Sequence, residues 1–541
     1  MDTRFFPLAP VADIPWVVYV SLLIIAVYFR FSRVLMIRNL DLVLTLLIAA
    51  AVVVSSHYRN SPSFEEAEPA AEEAVQAASN PAIPAGSETA PVKSSVDVAA
   101  EPVPESAAAR VASETEFSAA DLAVASAVPS SQSAERSMVQ VNHPAYVWGS
   151  FAIIALTLLL IVRLILDESL TRRPRLDQNL NQAGLTFLCI PAFAILAIGV
   201  FQKDAPVTNV KAIEHGRALL QRREVEFSKA TGNSELPAPT ETLIAAGGAA
   251  VAQLSGTLPN SMSINTGETR NTELLVARIL VVVAHLIVIL GLLYIGRQHF
   301  ASMQLGFGMA CLYLLLPCTA ANVHKLSHVL PAACLIWAIA SYRKPTVAGV
   351  LLGLACGTLF FAVFLLPLWA VFYGRKGALR FSASVLAIVA VLATCLMMIS
   401  GDADSFFNRV VTSTNWTVYR LLDDSLSISQ VSVSQLLIRI PMAAIFFVML
   451  TAMTVLPRPR NLENLLANST ALVVAAQMWY PDDIGTYVQW YMPLFLLVVF
   501  RPRLDRFMPP DAIERQTTAV PNGVPANSPS TVAMTRLSFF R

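Results

Sequence analysis

Apolar residues of this chain fall in long blocks, not in the stripes with a period of 3.6 or 2 that are typical of surface helices and half-buried strands. A helix needs roughly 20 apolar residues to cross a hydrocarbon core about 30 Å thick. Blocks that reach or approach this length lie near residues 11–29, 40–56, 146–166, 183–201, 274–295, 303–321, 326–341, 382–400, 436–456, 465–479 and 487–500, with an ambiguous twelfth at 345–373. The pattern predicts an all-α fold, a polytopic transmembrane helix bundle of about 11–13 spans.

Basic residues between the blocks predict the orientation of the chain. The first block is followed by Arg30 and Arg33 and has no small-residue cleavage site, which indicates a retained anchor with its N-terminus outside. From that start, every second connection is basic: Arg30, Arg33, Arg38; Arg163, Arg172, Arg173, Arg175; Arg297; Arg343, Lys344; Arg375, Lys376, Arg380; Arg458, Arg460; Arg501, Arg503, Arg506. The positive-inside rule therefore predicts a cytoplasmic C-terminus, in a membrane that bounds the cytoplasm.

The block PTVAGVLLGLACGTLFFAVFLLPLWAVFYG, which begins at Pro345, has basic residues on both sides. A single crossing would place one of the two basic clusters on the wrong face of the membrane. Two short legs that turn near Gly357 keep both clusters on the same side, and we expect this hairpin. The alternative is one long tilted helix that breaks the charge rule once.

Composition separates the membrane blocks from a segment of another kind. Of 541 residues, 55% are hydrophobic and 14% are charged, whereas residues 61–140 hold thirteen acidic and three basic residues and eight prolines. Such a segment buries too little apolar surface to offset the entropy of ordering. The chain carries a net charge of +1, and this segment carries −10, so the remainder carries +11. The near-neutral total conceals a basic cytoplasmic face.

These patterns predict the organisation of the chain. Residues 1–58 form an N-terminal two-helix membrane hairpin, and residues 59–144 form a disordered acidic linker, rich in Ala, Pro and Glu, on the outer face. A polytopic membrane core spans 145–507. Its outer loop 202–273 begins with a predicted helix on which Ile213, Leu219 and Leu220, with Val225, form an apolar stripe along the membrane surface. The second half of this loop, rich in Gly, Ser, Thr and Asn, is expected to be irregular. Residues 508–541 form a disordered cytoplasmic tail.

The stretch NVHKLSHVLPAACLIW places His324, Lys325 and His328 just before an apolar run. His324 and His328 are four residues apart, a spacing that suits a metal on a helix face, but no third ligand completes a motif, so no metal site is predicted. Two interpretations stay open. The side chains extend to the outer surface as interfacial residues, or they attract an anion such as a lipid phosphate at the start of a helix.

Ionisable residues inside apolar blocks are functional candidates when they face protein or water. Arg278 and His285 share a helix face in LLVARILVVVAHLIVIL, and Arg439 lies in LLIRIPMAA. Arg278 and Arg439 have an interfacial alternative, whereas His285 is expected to be a hydrogen-bonded core residue. The aromatic residues of WYPDDIGTYVQWYMP predict an interfacial belt. The six cysteines form no CxxC pair and are expected to be small buried hydrophobes.

Three stretches carry a resemblance to known proteins: LDESLTRRPRLDQNLNQAGLTF, HVLPAACLIWAIASYRKPTVAGVLLGLACGTLFFAVFLLPLWAVFYGRKGALRF and YVQWYMPLFLLVVFRPRLDR. They resemble a group of uncharacterised multi-spanning membrane proteins of planctomycete-type bacteria, a resemblance that implies no activity. More loosely, the stretch from 326 to the LLPLW block is similar to GT-C glycosyltransferases, which move sugars from polyprenyl-phosphate donors on the outer membrane face. That class has an acidic pair in its first outer loop, which is reduced here to KDAP.

The second resemblance implies an enzyme hypothesis. Asp204 would be the catalytic carboxylate in the loop 202–273. The residues that would hold a polyprenyl-phosphate-linked sugar are His324, Lys325, His328, Arg278 and Arg439. The rival hypothesis is a non-enzymatic transporter or envelope scaffold. Walker, GxSxG, HExxH, Rossmann and haem motifs are all absent from the sequence, and the cofactor stays unknown. The lipid bilayer is the expected partner, and no nucleic-acid partner is expected.

Overall fold

The regular structure of this chain is helical. The computed structural model describes residues 14–58, 144–169, 178–225, 236–256, 266–358, 360–413, 433–456, 460–479, 487–504 and 507–510. Within these ranges no strand occurs. The prediction of an all-α fold is confirmed.

The α-helices follow one another in the order of the predicted blocks. They are α1 (Ile14–Tyr28), α2 (Ile37–Tyr58), α3 (Pro144–Ile165), α4 (Gln182–Gln202), α5 (Val207–Gln221), α6 (Pro239–Leu254), α7 (Thr266–Gln298), α8 (Met303–Leu315), α9 (Pro317–Ala321), α10 (Leu326–Ala340), α11 (Pro345–Cys356), α12 (Leu365–Ile399), α13 (Ala403–Ser413), α14 (Val433–Val455), α15 (Leu462–Trp479) and α16 (Val488–Phe500). Short 3-10 turns occupy Phe31–Arg33, Leu166–Ser169 and Phe360–Phe364.

Several of these helices have the length and composition of membrane spans. Five stretches of the described chain are long and apolar enough to cross a bilayer: Ile37–Tyr58, Ala145–Ile165, Gln182–Gln202, Arg270–Gln298 and Phe361–Ile399. Shorter apolar helices accompany them, including Met303–Leu315, Leu326–Ala340 and Val488–Phe500. The predicted membrane character is confirmed.

The block that begins at Pro345 is a hairpin, as the charge rule predicted. α11 ends at Cys356, and the chain turns back through Phe360–Phe364 into α12. α12 is itself two helices, because Gly374 has a φ of 72° and a ψ of −179°. The hydroxyl of Tyr373 donates to the carbonyl of Tyr342 at 2.8 Å. The basic residues that follow these two tyrosines therefore lie at the same end of the bundle.

The leg of α12 after Gly374 runs parallel to α11 at short range. A Cβ added to Gly349 would lie 2.5 Å from the carbonyl oxygen of Phe381, and one added to Gly353 would lie 3.0 Å from the Cβ of Ile388. Glycines four residues apart on one face let two membrane helices approach each other closely. These two glycines therefore allow α11 and the second leg of α12 to pack closely.

Two ends of the bundle can be defined from the contacts at the start and after the end of α16. At the start of α16, the side-chain amide of Gln489 donates to the carbonyl of Thr319, which lies just before His324 in the chain. After the last turn of α16, Arg501 pairs with Asp167. We call the first the histidine end and the second the arginine end. The twelve residues from Gln489 to Arg501 place the two ends about 18 Å apart along α16.

The loop 202–273 contains two helices where one was predicted. α5 confirms the predicted first helix: Ile213 is buried, whereas Leu220 is exposed. α6 shows that the expectation of an irregular second half is wrong. Pro239 occupies the first turn of α6, where its missing N–H costs no hydrogen bond. A Cβ at Gly216 of α5 would lie 2.5 Å from the backbone nitrogen of Ala246, so close packing of the two backbones supports α6.

The remaining predicted segments fall partly outside the described residues. Contacts join 1–58 and 145–541 into one unit. The predicted linker 59–144 lies outside the described residues except for Pro144, and so does the predicted tail beyond residue 510. These assignments stay predictions.

Candidate functional site

The candidate site begins where α4 ends. Lys203 follows the last helical residue, and its ammonium donates to the carbonyls of Ala320 and Ala321 at 3.0 Å and 2.8 Å. These carbonyls lie at the end of α9, so Lys203 binds the C-terminal end of a helix, where a cation is favoured. Asp204 comes next in the chain and is exposed. Lys203 thus fixes the backbone from which the Asp204 carboxylate projects.

Arg278 supports the same segment from α7. Its Nη2 donates to the carbonyl oxygen of Lys203 at 3.3 Å, and the side chain is half-buried. The Arg278 guanidinium is therefore directed towards the residues that follow α4 and not out towards the surface. This placement favours the functional interpretation of Arg278 over the interfacial one.

His324 and Lys325 lie in the turn between α9 and α10. Pro317 begins the short helix α9, and Asn322 ends it. The side-chain amide of Asn209, in the first turn of α5, donates to the carbonyl of His324 at 2.8 Å. The loop helix α5 thus holds this turn against the end of α4.

Electrostatic interactions connect the four titratable groups that meet here. Burial lowers the pKa of Lys203, and the nearby charge of Lys325 lowers it further. Burial lowers the pKa of His324 to about 4, with Lys203 and Lys325 adding to the effect and Asp204 opposing it. His324 is therefore neutral at pH 7. Lys203, Lys325 and Asp204 all lie close enough to change its pKa.

Several polar atoms at this end have no partner among the described residues. They are Nδ1 of His324, Nε of Arg278 and Oδ1 of Asn209, and each is buried. Buried polar atoms in native proteins are normally hydrogen-bonded to protein, water or ligand. These three atoms are therefore available to a bound molecule.

His328 lies one turn further along, in α10, and is not an interfacial residue. Its side chain is 5% exposed, and its ring stacks on the ring of Tyr487 with 5.2 Å between centroids. The prediction of an interfacial aromatic belt is wrong for the four of its five residues that the structure describes, and Tyr480 lies outside the described residues. Trp479, Tyr487, Trp490 and Tyr491 are all buried, because they pack against other helices of the bundle.

The other predicted residues have separate outcomes. Oη of Tyr313 lies 2.8 Å from Nδ1 of His285, and the carbonyl of Val323 lies 3.1 Å from Nε2. A carbonyl only accepts, so Nε2 carries the proton and Nδ1 accepts from the tyrosine. The prediction that His285 is a hydrogen-bonded core residue is confirmed. Arg439 lies in α14, and its side chain is outside the described part. All six cysteines are free, and four are fully buried.

A buried ionic network at the arginine end was missed in the sequence. Arg163 donates to both carboxylate oxygens of Asp41, at 2.7 Å and 2.8 Å, and to Asp167 at 2.8 Å. Arg501 pairs with Asp167 and, at 3.2 Å, with Glu463. These arginines had been interpreted only as topology signals. They also join α2, α3 and α15 to the chain after α16.

Comparison with known proteins identifies no family for this chain. No protein-family model matches it, and no curated protein gives a significant match. Among the described residues, no group of three His, Cys, Asp or Glu side chains is placed to hold a metal ion. The geometry of the histidine end is therefore the basis for a proposal about function.

Proposed function

We propose that this chain is a membrane glycosyltransferase that binds a polyprenyl-phosphate-linked sugar at the histidine end. The observation that carries the proposal is the convergence of Lys203, Arg278, His324 and Lys325 beside Asp204. These residues come from three separate parts of the sequence: the end of α4, the helix α7, and the turn between α9 and α10. Four of the five were candidates on sequence grounds.

The charge balance of the site favours an anion. Lys203, Lys325 and Arg278 contribute three positive charges, whereas Asp204 contributes one negative charge among these residues. Each of the three cations is half-buried, and desolvation disfavours the charged form of a basic group. An anionic phosphate beside these groups offsets that cost and brings several acceptor oxygens.

The position of the site suits a lipid phosphate. Lys203 and Asp204 follow α4 directly, and Arg278 lies in α7, and both helices contain candidate membrane spans. The ends of spans lie at the depth of the bilayer interface, where the phosphate of a membrane lipid resides. A lipid-linked donor therefore reaches these residues from within the bilayer.

Asp204 has the role of the general base in this proposal. Its carboxylate lies on the exposed side of the basic cluster, where an acceptor hydroxyl arrives from water. Removing the hydroxyl proton makes the acceptor a better nucleophile, and the basic groups stabilise the charge that develops on the departing phosphate.

A non-enzymatic role in carrying or holding an anionic lipid is the second candidate. The exposure of Asp204 favours this candidate. The buried polar atoms of the site belong to basic and neutral residues, so these atoms can hold an anionic lipid without the carboxylate. Both candidates require anion binding, and only the enzyme requires the carboxylate.

Binding of the donor phosphate tests the part that the two candidates share. Affinity for a short-chain polyprenyl phosphate should fall roughly tenfold or more in Lys325→Ala, because a hydrogen bond to a charged group is lost. Lys376→Ala, which removes an exposed lysine beyond Tyr373 at the arginine end, should bind like wild type. Equal losses in the two variants would show that the lipid senses overall charge and not this site.

A further inference from the structure

At the histidine end, four buried polar side chains keep atoms that the described residues do not fully pair. They are Thr319 of α9, His328 of α10, and Gln489 and Trp490 of α16, with exposures of 0%, 5%, 1% and 0%. Nδ1 of His328, Oε1 of Gln489 and Nε1 of Trp490 have no partner among the described residues. The hydroxyl of Thr319 interacts with the thiol of Cys318, which is a weak hydrogen-bonding group.

Direct contacts bring these residues to one place between three helices. The amide of Gln489 donates through Nε2 to the carbonyl of Thr319 at 3.0 Å. The His328 ring stacks on Tyr487, the residue before α16. The ring of Phe361 lies 4.3 Å from that of Trp490 and 5.5 Å from that of Tyr487. Aromatic rings therefore border the His328 and Trp490 side chains of this set.

Leaving these atoms unsatisfied would be costly in a finished fold. A native protein keeps nearly all of its buried polar atoms paired, with protein, water or ligand. Four incompletely paired side chains on three adjoining helices indicate a place where a bound group completes the hydrogen bonds.

The hydrogen-bonding capacities of these groups limit the chemical class of the ligand. The amide oxygen of Gln489 only accepts, the indole nitrogen of Trp490 only donates, and the hydroxyl of Thr319 does both. Hydroxyl groups satisfy such a mixed set, because each one donates and accepts. An ionised phosphate or carboxylate group does not, because it only accepts hydrogen bonds and has no proton to donate to the Gln489 oxygen. The bordering aromatic rings suit the C–H face of a ring.

We propose that Thr319, His328, Gln489 and Trp490 bind an uncharged, polyhydroxylated ring, which is the sugar of the donor. This assignment rests on the proposed function and adds a specificity to it: the transferred sugar is a neutral hexose and not a uronic acid. The backbone N–H of His328 donates to the carbonyl of Lys325 at 3.3 Å, so the sugar pocket adjoins the phosphate site.

Binding of simple glycosides to the full-length protein tests the pocket. The protein is purified in an alkyl dimethylamine oxide, a detergent without sugar, and titrated with methyl glucoside, methyl mannoside, methyl galactoside and methyl glucuronide by calorimetry. At least one neutral hexoside should bind saturably, and methyl glucuronide should bind at least tenfold more weakly than that hexoside.

Thr319→Val separates a binding role from a structural one. We expect this variant to lose at least tenfold in hexoside affinity with little change in Tm, because the hydroxyl that it removes interacts with the thiol of Cys318, which forms only weak hydrogen bonds. Thr470→Val is the matched control, since Thr470 is also fully buried but donates to the carbonyl of Leu466 at 2.7 Å. Its hexoside affinity should equal that of wild type.

Three results would overturn the pocket: no hexoside binds, the glucuronide binds as well as the hexosides, or Thr319→Val keeps wild-type affinity. The hexosides carry no phosphate, so this outcome is independent of sugar transfer. Hexoside binding by a protein that transfers no sugar would remove the proposed function alone. Transfer by a protein that binds no hexoside would remove the pocket alone.

Discussion

Burial of basic side chains sets the chemistry of the histidine end at the scale of single residues. His215 of α5 is 6% exposed, and its pKa is lowered to about 4 by burial and by the charges of Arg409 and Lys211. His324 has its pKa lowered to about 4 by burial, Lys203 and Lys325. Protonating either imidazole would add charge to a region that is already positive. The region is therefore built to keep its histidines neutral and to receive negative charge.

The lowered pKa of His215 predicts a loss of stability in acid. Between pH 6.5 and about 4 the unfolded chain protonates this histidine and the folded chain does not, so stability falls as pH falls. The full effect is about 3 kcal/mol. The fall in Tm between pH 7 and pH 5 should be smaller in His215→Gln than in wild type. His57→Gln, at an exposed position, should follow wild type, and an unchanged slope in His215→Gln would contradict the prediction.

The sequence predicted those site residues whose chemistry is unusual in an apolar block. Asp204, Arg278, His324 and Lys325 stood out because charge is expensive in hydrocarbon. Thr319 and Gln489 did not, because a neutral polar residue in a span is common. Their significance lies in their incomplete pairing, which appears only when the helices are packed. Lys203 was overlooked because a lysine after a span is an ordinary interfacial residue.

Helix elements were predictable where one physical rule dominated. The hairpin at α11 and α12 followed from charges on both sides of one apolar block, and the Gly374 conformation shows why the chain reverses again. α6 was missed because Gly247 and Gly248 disfavour a helix. Packing of α6 against Gly216 of α5 outweighs that preference.

Local packing predicts opposite effects for a glycine substitution in α11 and one in α6. In Gly349→Ala the new Cβ meets the Phe381 carbonyl, so we expect a loss of about 1–3 kcal/mol, typical of overpacking. In Gly247→Ala the Cβ meets nothing within 4 Å, so the higher helix propensity of alanine should stabilise α6 by about 0.5–1 kcal/mol. Thermal unfolding in detergent measures both. Equal shifts of Tm in the same direction would contradict this packing.

At the scale of the whole molecule, the arginine end has a structural role, whereas the histidine end is the candidate binding site. The arginine end is closed by the ionic network of Arg163, Asp167 and Arg501, which links helices distant in sequence. The histidine end carries buried polar atoms without a partner among the described residues, next to the basic side chains of Lys203, Arg278 and Lys325. The predicted orientation places this second end outside. A lipid-linked donor and a water-borne acceptor would meet there.

Sugar transfer by the reconstituted protein tests the central claim most directly. Wild-type protein in liposomes, supplied with a polyprenyl-phosphate sugar, should release polyprenyl phosphate and glycosylate an acceptor. Asp204→Asn should lower kcat about 10²–10⁴-fold, the usual contribution of a general base, with donor affinity and Tm unchanged. Asp404→Asn, an exposed carboxylate in α13, should keep wild-type activity. Absence of transfer from every polyprenyl-phosphate donor by wild type, or full activity in Asp204→Asn, would contradict the account.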